Sequence, residues 1–509
     1  MKLHDPILTP EESKEFEKSI LGDSQLKAYK AMELAGEKLA DSLCAEFGKY
    51  LGASPSVLGL VGAGHNGGDA LVALARICKN ISGLKLTVAI PKMQKLRSNT
   101  LKAFWRLQNS FSGKNLEIID ISELEKIVGK HFDLILEGLT AMSFTPPMRG
   151  DLKNAIISAN RIQARLKVSV DIPAGAYTLP QSTVFKADAT YATGIAKTTL
   201  FYDFNKPFAG RIRYLDIGFF DSSENPYNEC KRDFITRPDA LEFLKILRPS
   251  ASDKRGYGHL FIVGGSQSYP GAVMINARAA IRGGCGLVTA FVPEPLAPAY
   301  AAMEPSVIWV GCPQDESGAL ALESFGLIKA RLKYASALAI GSGLTASAES
   351  TALVCEILKA SEPLPTVLDA DAIRPQILAA ATNRKLLLTP HEGEFLRIAP
   401  DTSDCALLET CKRYGCACAL KSSITRIADG KNIVRSTRGS PVLSRAGSGD
   451  ILAGLSGALM CNPNLQSPMD AGICASQWLG ISAEKAFYSA CSEAPLASSD
   501  IIKFISSGL

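Results

Sequence analysis

Near the carboxyl end of the sequence, a glycine-rich turn leads directly into an acidic residue. Asp450 follows Gly447, Ser448 and Gly449, at the start of an apolar segment with helical character. A turn that opens a helix leaves backbone N–H groups free to hold the charge of a transferring phosphoryl group. A carboxylate in reach of a hydroxyl group can take its proton. These residues indicate phosphoryl transfer with Asp450 as the base, although an aspartate at a helix start is most often a simple cap.

Further polar segments follow short apolar runs in the second half of the chain. They are Gly341-Ser342-Gly343, Asp369-Ala370-Asp371, and residues 389–394, which contain His391. Upstream, a glycine-rich run at residues 256–266 leads through Pro270, Gly271 and Ala272 into a helix of small residues. We expect the polar ends of these runs to face one cleft.

A second glycine-rich turn lies in the first half of the chain, after a strand and before a helix. It runs from Gly62 through Gly64, His65, Asn66, Gly67 and Gly68 to Asp69. Backbone N–H groups and the helix dipole favour phosphate at such a place. The motif alone is weak, because many such turns carry glycines only for tight packing. Its neighbours strengthen it, since Glu137 and residues 170–175 also lie at strand ends, the edge where parallel sheets bind ligands.

The alternation of apolar runs and amphipathic segments predicts the elements that position these residues. In the first half we expect strands at 58–61, 84–90, 134–136, 168–171, 189–193 and 212–216, and helices at 69–78 and 98–108. In the second half we expect strands at 260–264, 287–292, 337–340, 366–368, 385–388 and 416–420, a helix at 271–282, and helices from Gly449 onward. This order predicts α/β domains built on parallel sheets. A polar stretch at 219–249 separates a domain of residues 1–222 from one of residues 235–509.

The bulk properties are those of a folded protein of two domains. The chain has 509 residues, which exceeds the size at which single cores stop growing. A net charge of +5 from 55 basic and 50 acidic residues provides no strong positive potential to bind a phosphate backbone, so nucleic acid is not the expected partner. No run resembles a signal peptide or a membrane span, so we expect a cytoplasmic protein without a membrane partner. Cys416 and Cys418 lie in a strand-like run and are expected to be buried thiols.

The motifs of the first half resemble those of the NAD(P)H-hydrate epimerase family, and Asp216-Ile217-Gly218 continues the likeness. The resemblance implies a Rossmann-like three-layer domain in which Asp171 serves the epimerisation as acid or base. It implies that substrate contacts the turn His65, Asn66, Gly67, Gly68 and Asp69 and the loop Ala141, Met142, Ser143, Phe144, Thr145, Pro146 and Pro147. A potassium ion is implied at Asn66, Glu137 and Ala174. Glu137 replaces an aspartate and Ala174 a hydroxyl ligand, and loss of an oxygen donor weakens a hard cation site.

The motifs of the second half resemble those of the nucleotide-dependent NAD(P)H-hydrate dehydratases, whose fold is ribokinase-like. The resemblance implies that Ala272, Gly343, His391 and Asp450 line the hydrate site. It implies that an adenine nucleotide binds Gly449 and the turn Lys421, Ser422, Ser423, Ile424 and Thr425. Asp450 would deprotonate the hydroxyl of the hydrated ring, which attacks the terminal phosphoryl group, and phosphate then leaves. Ser422, Ala446, Ser440 and Arg374 depart from the family pattern, and none of them is the proposed base.

The resemblance also predicts the small molecules that the chain binds. They are the hydrates of NADH and NADPH, ADP or ATP as co-substrate, Mg2+ with the nucleotide, and K+ in the first domain. We expect a homo-oligomer. Two other interpretations stay open at the level of sequence. The second domain could be a ribokinase-like kinase for a small alcohol, and the first domain could be a non-catalytic ligand-binding or interaction module.

Overall fold

The computed structural model describes residues 2–81, 83–111, 115–140, 146–222, 225–227, 231–465 and 467–509. The chain divides into two compact units, Asp5–Lys231 and Arg232–Leu509, and Met1–His4 group with the second of them. A short strand, β1 (His4–Pro6), stands at the start. No helix in the described part of the chain combines the length and the apolar character needed to cross a membrane.

The first unit is built on a parallel sheet of seven strands in the order β4-β3-β2-β5-β6-β7-β8. Alternate residues of a strand point to opposite sides of the sheet, and helices pack on both of these faces. Leu58 and Leu60 of β2 pack in a cluster with Ile156 of α5, whereas Gly59 lies against Leu74 of α3. The strands are β2 Ser56–Val61, β3 Lys85–Ile90, β4 Leu116–Asp120, β5 His131–Gly138, β6 Gln163–Val170, β7 Ala189–Thr193 and β8 Arg211–Leu215.

Some helices of the first unit begin with a capping side chain and others do not. Thr9 and Glu12 form a capping box at the start of α1, and Pro10 occupies its first position. Helix α3 differs, because Gly64 at its start offers no side chain as a cap. The first N–H groups of α3 therefore have no capping side chain. The helices are α1 Pro10–Leu21, α2 Gln25–Leu51, α3 His65–Asn80, α4 Ser98–Ser110, α5 Gly150–Arg161 and α6 Lys206–Ala209.

The second unit has a larger sheet that contains the strands in the order β9-β18-β17-β16-β15-β14-β13-β10-β11-β12. Neighbours from β12 to β16 are parallel, and the β16-β17 and β17-β18 pairs are antiparallel. Gly457, in the helix Ser448–Met460, packs on Leu260 and Ala339 on one face of the sheet. The strands are β9 Asp233–Thr236, β10 His259–Val263, β11 Leu287–Pro293, β12 Ile308–Cys312, β13 Ala337–Ile340, β14 Thr366–Leu368, β15 Leu386–Leu388, β16 Ala417–Leu420, β17 Thr425–Ala428 and β18 Ile433–Ser436.

Helices of the second unit connect these strands and close the fold. They are α7 Pro270–Arg282, α8 Ala297–Met303, α9 Ser324–Lys329, α10 Ala348–Ala360, α11 Pro375–Ala380, α12 Glu392–Phe395, α13 Asp404–Tyr414, α14 Ser448–Met460, α15 Pro468–Ala490 and α16 Ser498–Ile505. The predicted α/β class is confirmed in both units, and Cys416 and Cys418 are buried as expected. Strands β4, β9, β12, β17 and β18 were absent from the prediction, and β9 lies inside the stretch interpreted as a boundary.

Two candidate active sites

The first unit contains a cavity of about 1140 Å³ at the carboxyl edge of its sheet. Its wall includes the glycine-rich turn after β2, residues that follow β3, β4 and β5, and Asp171 at the end of β6. This is the edge at which parallel sheets bind ligands. The volume exceeds the range of roughly 300 to 1,000 Å³ that is typical of ligand pockets, so a dinucleotide has room to enter.

A buried ion pair forms part of the cavity wall. Lys197 Nζ donates to Asp171 Oδ1 at 2.6 Å, and both side chains are almost fully buried. Thr193 N and Oγ1 lie 3.4 and 3.5 Å from the same oxygen. Asp171 has a φ of 66°, a left-handed conformation that is uncommon outside glycine and often marks functional positions. The predicted acid or base thus reaches the cavity with a cation as its counter-charge.

Two more carboxyl groups face the same cavity. Burial raises the pKa of Asp69 well above its usual range, and the charges of Asp171 and Glu17 act in the same direction. Burial also raises the pKa of Glu17. A raised pKa favours the protonated form of a carboxyl group, the form that can donate a proton. The site therefore combines the Asp171–Lys197 pair with carboxyl groups whose surroundings disfavour their charge.

The turn at the start of α3 divides into a part that faces the cavity and a part that packs inside the fold. His65, Asn66 and Asp69 line the cavity. Gly67 lies against the turn itself, since a Cβ atom there would be 2.0 Å from the Gly62 carbonyl oxygen. Gly68 similarly packs against Met32. Burial lowers the pKa of His65, with a further contribution from Arg97, so its ring is neutral near pH 7.

The three positions implied for potassium do not form a cation site. Glu137 is fully buried, and it accepts hydrogen bonds from Leu139 N at 2.6 Å, Ser169 Oγ at 2.8 Å and Ala174 N at 3.2 Å. Burial raises its pKa to about 7. The Ala174 side chain is a methyl group within an apolar cluster. Of the side-chain oxygens at these three positions, Asn66 Oδ1 alone is buried without a hydrogen-bond partner. The Nδ2 atom of Asn66 donates to the Thr140 and Val170 carbonyls. One free oxygen is too few for a hard cation that needs several.

The loop implied for substrate contact is placed only in part. Ala141, Met142, Ser143, Phe144 and Thr145 lie outside the described residues. Pro147 lines the cavity, and Pro146 is half-buried beside it in sequence.

In the second unit, the structure brings the predicted hydrate-site residues together at the carboxyl edge of the sheet. Gly343 follows β13 with a φ of 69°, and a Cβ atom there would lie 3.2 Å from the Ala272 Cβ of α7. Gly265 N, after β10, donates to the Ser342 carbonyl at 2.9 Å. His391 forms a β-bridge with Lys421, whose N–H donates to the Pro390 carbonyl at 2.8 Å.

A charge cluster occupies the centre of this edge. Lys421 Nζ lies 3.2 Å from Asp369 Oδ1 and 3.8 Å from a Glu394 carboxylate oxygen. Burial acts to lower the pKa of Lys421, but Asp369 and Glu394 outweigh it and raise the pKa. A Cβ atom on Gly449 would lie 2.9 Å from Lys421 Nζ. The ammonium group therefore stands at the start of α14, in the first turn beside Asp450.

Asp450 occupies the third position of α14, after Gly447 with a φ of 91°. Burial and the charge of Asp369 raise its pKa to about 7, against the lowering effect of a hydrogen bond with Ser342. A general base works best with a pKa near the working pH. Asp450 therefore has the environment of a base and does not cap its helix.

The rest of the predicted nucleotide turn connects β16 to β17. Ser422 Oγ donates to the Ile424 carbonyl at 2.7 Å, Ser423 is exposed, and Thr425 opens β17 opposite Ser436. This turn is accessible beside Lys421. Among the described residues, no cluster of three His, Cys, Asp or Glu side chains could hold a metal ion.

Several functional candidates received no specific role from the sequence, although Ser342 and Asp369 were expected to face the cleft. Lys197 and Glu17 in the first unit, and Asp369 and Ser342 in the second, interact with residues distant in the chain. Asp369 accepts from Thr389 Oγ1 at 2.8 Å as well as from Lys421. Two features of the sequence could have pointed to these residues. Lys197 directly follows the apolar residues Ile195 and Ala196, and Asp369 directly follows a buried strand.

Comparison with known proteins identifies relatives of both units. Residues 260–505 match a family model described as NAD(P)H-hydrate dehydratase, and residues 28–199 match one described as YjeF-related protein N-terminus. The bifunctional NAD(P)H-hydrate repair enzyme Nnr of Synechocystis is 31% identical over 426 residues, which cover 80% of this chain and 77% of that protein. The enzyme of the same name from Gloeobacter violaceus is 31% identical over 476 residues, 88% of each chain. That of Thermosynechococcus vestitus is 29% identical over 446 residues, 84% and 83% of the two chains.

Proposed function

The chain belongs to the family of bifunctional NAD(P)H-hydrate repair enzymes, and we propose that each unit catalyses one step of that repair. The second unit dehydrates the S-hydrates of NADH and NADPH at the expense of ADP or ATP. The first unit interconverts the R- and S-hydrates, so that both can be repaired.

The dehydration begins with a proton transfer to Asp450. The hydroxyl group on the hydrated ring loses its proton to this carboxylate, and its oxygen attacks the terminal phosphoryl group of the nucleotide. The bond from that phosphorus to the bridging oxygen breaks, so AMP leaves when ADP is the donor and ADP leaves when ATP is. The carbon–oxygen bond of the new phosphate ester then breaks as the ring nitrogen supplies electrons, inorganic phosphate leaves, and the adjacent carbon loses a proton to water, which restores the double bond. Phosphorylation is needed because hydroxide is a poor leaving group.

The residues around Asp450 fit the charge that develops in this reaction. Lys421 Nζ and the N–H groups at the start of α14 are positioned to stabilise negative charge on the transferring phosphoryl group. Magnesium bound to the nucleotide's own oxygens neutralises further charge when the nucleotide is present. The single observation that carries this proposal is the position of Asp450, with its pKa of about 7, in the same cluster as Lys421 and Asp369.

The epimerisation depends on proton transfers at the other cavity. A protonated carboxyl group there can give a proton to the hydroxyl of the hydrated carbon, which then leaves as water while the ring nitrogen supplies electrons. Water returns to the opposite face and gives its proton to a carboxylate. Asp171, held by Lys197, and Asp69, whose pKa is raised by burial and by the charges of Asp171 and Glu17, are the two groups that supply these functions.

An assay of both hydrates with the full-length protein tests the two activities separately. The S-hydrate with ADP or ATP should regain the absorbance of the reduced nicotinamide ring. The R-hydrate without nucleotide should convert to the S-hydrate, as followed by chromatography. A phosphorylated product without any return of absorbance would identify a small-molecule kinase and contradict the dehydratase assignment. Stable R-hydrate would favour a non-catalytic first unit.

A further inference from the structure

Three cationic side chains stand at the mouth of the cavity in the first unit. Lys92, Lys95 and Arg97 follow the carboxyl end of β3, line the cavity and are exposed to solvent. None of the three forms an ion pair with any described residue. Asp120 lies near Lys92 and Lys95, but its Oδ1 accepts hydrogen bonds from Ser122 N and Oγ. The mouth therefore offers cationic groups to a bound anion.

Two hydrogen bonds connect this cationic segment and the start of the following helix to the glycine-rich turn. Arg97 N donates to the Ala63 carbonyl at 3.0 Å, and Thr100 Oγ1 donates to the Gly64 carbonyl at 2.9 Å. A short 3-10 turn, Met93–Lys95, keeps the segment compact. The three cations are consequently held beside the start of α3 and belong to the same cavity as Asp171. A ligand that reacts at Asp171 and extends along the turn would bring its far end to them.

The place of β3 in the sheet indicates which end of a dinucleotide would arrive there. Strand β3 is the immediate neighbour of β2, whose following turn carries the glycines. In doubly wound sheets that bind dinucleotides, the diphosphate lies on such a turn and the adenosine ribose lies near the end of the neighbouring strand. A carboxylate at that end binds a free 2′-hydroxyl group, whereas a cation accommodates a 2′-phosphate. Here the strand is followed by Pro91 and Lys92, with no carboxylate before Arg97.

We propose that Lys92, Lys95 and Arg97 bind the 2′-phosphate of hydrated NADPH, so that the first unit prefers the phosphorylated hydrate to hydrated NADH. The inference rests on the proposed function, because it takes the hydrate as the occupant of the cavity. The phosphate is remote from the reacting carbon, so its contacts act equally on the ground state and the transition state. The preference should therefore appear in KM and leave kcat almost unchanged.

The size of the preference follows from the exposure of the three cations. An exposed ion pair changes a binding constant about two- to fivefold, so three of them on one dianion give roughly tenfold to a hundredfold. Salt screens such contacts, and the preference should fall several-fold when the salt concentration rises from about 0.05 to 0.5 M.

The test compares NADPH and NADH R-hydrates in epimerisation assays without nucleotide, and NADP+ and NAD+ in equilibrium binding. Both cofactors carry the diphosphate, so their difference isolates the 2′-phosphate. A variant with Lys92→Gln, Lys95→Gln and Arg97→Gln should reduce the preference to about twofold or less. The control is Lys27→Gln, Lys30→Gln and Lys79→Gln, which removes equal charge at exposed positions away from this cavity and should retain the preference. The second unit is the same in both variants, so its own binding cancels.

The outcomes separate this inference from the proposed function. A wild-type chain that epimerises both hydrates with equal KM would overturn the inference and leave the activity standing. Retention of the preference by the Lys92, Lys95 and Arg97 variant would also overturn it. If the chain epimerises neither hydrate, the proposed activity of the first unit fails. The binding arm then still decides whether NADP+ is preferred through these side chains.

Discussion

Replacement of Asp450 by asparagine should lower the dehydration rate without lowering the stability of the protein. The change keeps the shape of the side chain and removes the base, so dehydration should slow by roughly a hundred- to ten-thousandfold. The loss should appear in kcat, because the proposed nucleotide contacts, Lys421 and the start of α14, are unchanged. Single-turnover return of nicotinamide absorbance, with saturating nucleotide, measures it.

The pH dependence of the wild-type rate provides a second measure of the same group. Asp450 acts as a base only when ionised, and its pKa is about 7. The rate should therefore rise between about pH 6 and 8 and level off above that range. The residual rate of Asp450→Asn should lack this rise.

The same pKa makes a prediction about stability with a defined sign. The folded state holds a proton on Asp450 up to about pH 7, whereas the unfolded chain releases it near its ordinary value of 3.8. The folded protein thus loses stability as pH rises from the ordinary value through the folded pKa. Between pH 5 and 8 this loss is about 1 to 3 kcal/mol, after a reduction for the partial exposure of the side chain. The asparagine variant has no such loss, so its free energy of unfolding should gain that amount over wild type at the higher pH.

The matched control is Asp470→Asn, because Asp470 holds the same third position in its own helix, α15, outside the site. Its dehydration rate should equal that of wild type. Near wild-type turnover in Asp450→Asn would refute the role of Asp450. An asparagine variant that is inactive but shows no relative gain in stability between pH 5 and 8 would refute the buried, proton-holding state of the carboxyl group.

Further predictions concern the first unit and the division of the chain. Asp171→Asn should reduce epimerisation at least a hundredfold while the dehydration rate stays within twofold of wild type, and equal loss of both would contradict separate sites. Epimerisation in potassium and sodium chloride at equal ionic strength should differ by less than about twofold, for wild type and for Ala174→Ser, because Glu137 is already occupied. A strong potassium requirement would contradict this. Separate fragments 1–231 and 232–509 should each unfold cooperatively in denaturant titrations, and aggregation of both would show interdependent cores.

The sequence predicted the sheets where the strands are continuous apolar runs. Strands β2, β3, β13 and β14 are buried along nearly their whole length and have the composition of parallel strands with both faces covered. Strand β4 contains Glu117 and Asp120 and is largely accessible, so no apolar run marks it. Strand β9 lies in a polar stretch and pairs with β18, 200 residues later. Strands of this kind depend on tertiary contacts that local patterns do not contain.

The candidate sites were predictable where a glycine turn and an acidic residue are neighbours in sequence. Asp450 follows such a turn, Asp171 directly follows a strand and precedes Gly175 by four residues, and the structure gives each an environment suited to proton transfer. Their partners could not be predicted in the same way. Lys197 reaches Asp171 across 26 residues and Lys421 reaches Asp369 across 52, through the parallel order of the strands. The order and register of the strands determine which of these side chains come into contact, and the composition of the sequence does not reveal that register.

The replacements at Glu137 and Ala174 are best understood as one change. A carboxylate that serves as a cation ligand must keep lone pairs free, yet Glu137 accepts from two backbone N–H groups and from Ser169 Oγ. The longer side chain of glutamate lets the carboxylate fold back to Leu139 N, two residues ahead on its own strand end. The methyl group of Ala174 packs in an apolar cluster, where a hydroxyl ligand without its cation would need another partner. Glu137 therefore has internal hydrogen bonds, and Ala174 has apolar packing, at two positions where the resemblance implies cation ligands, and Lys197 is the cation paired with Asp171.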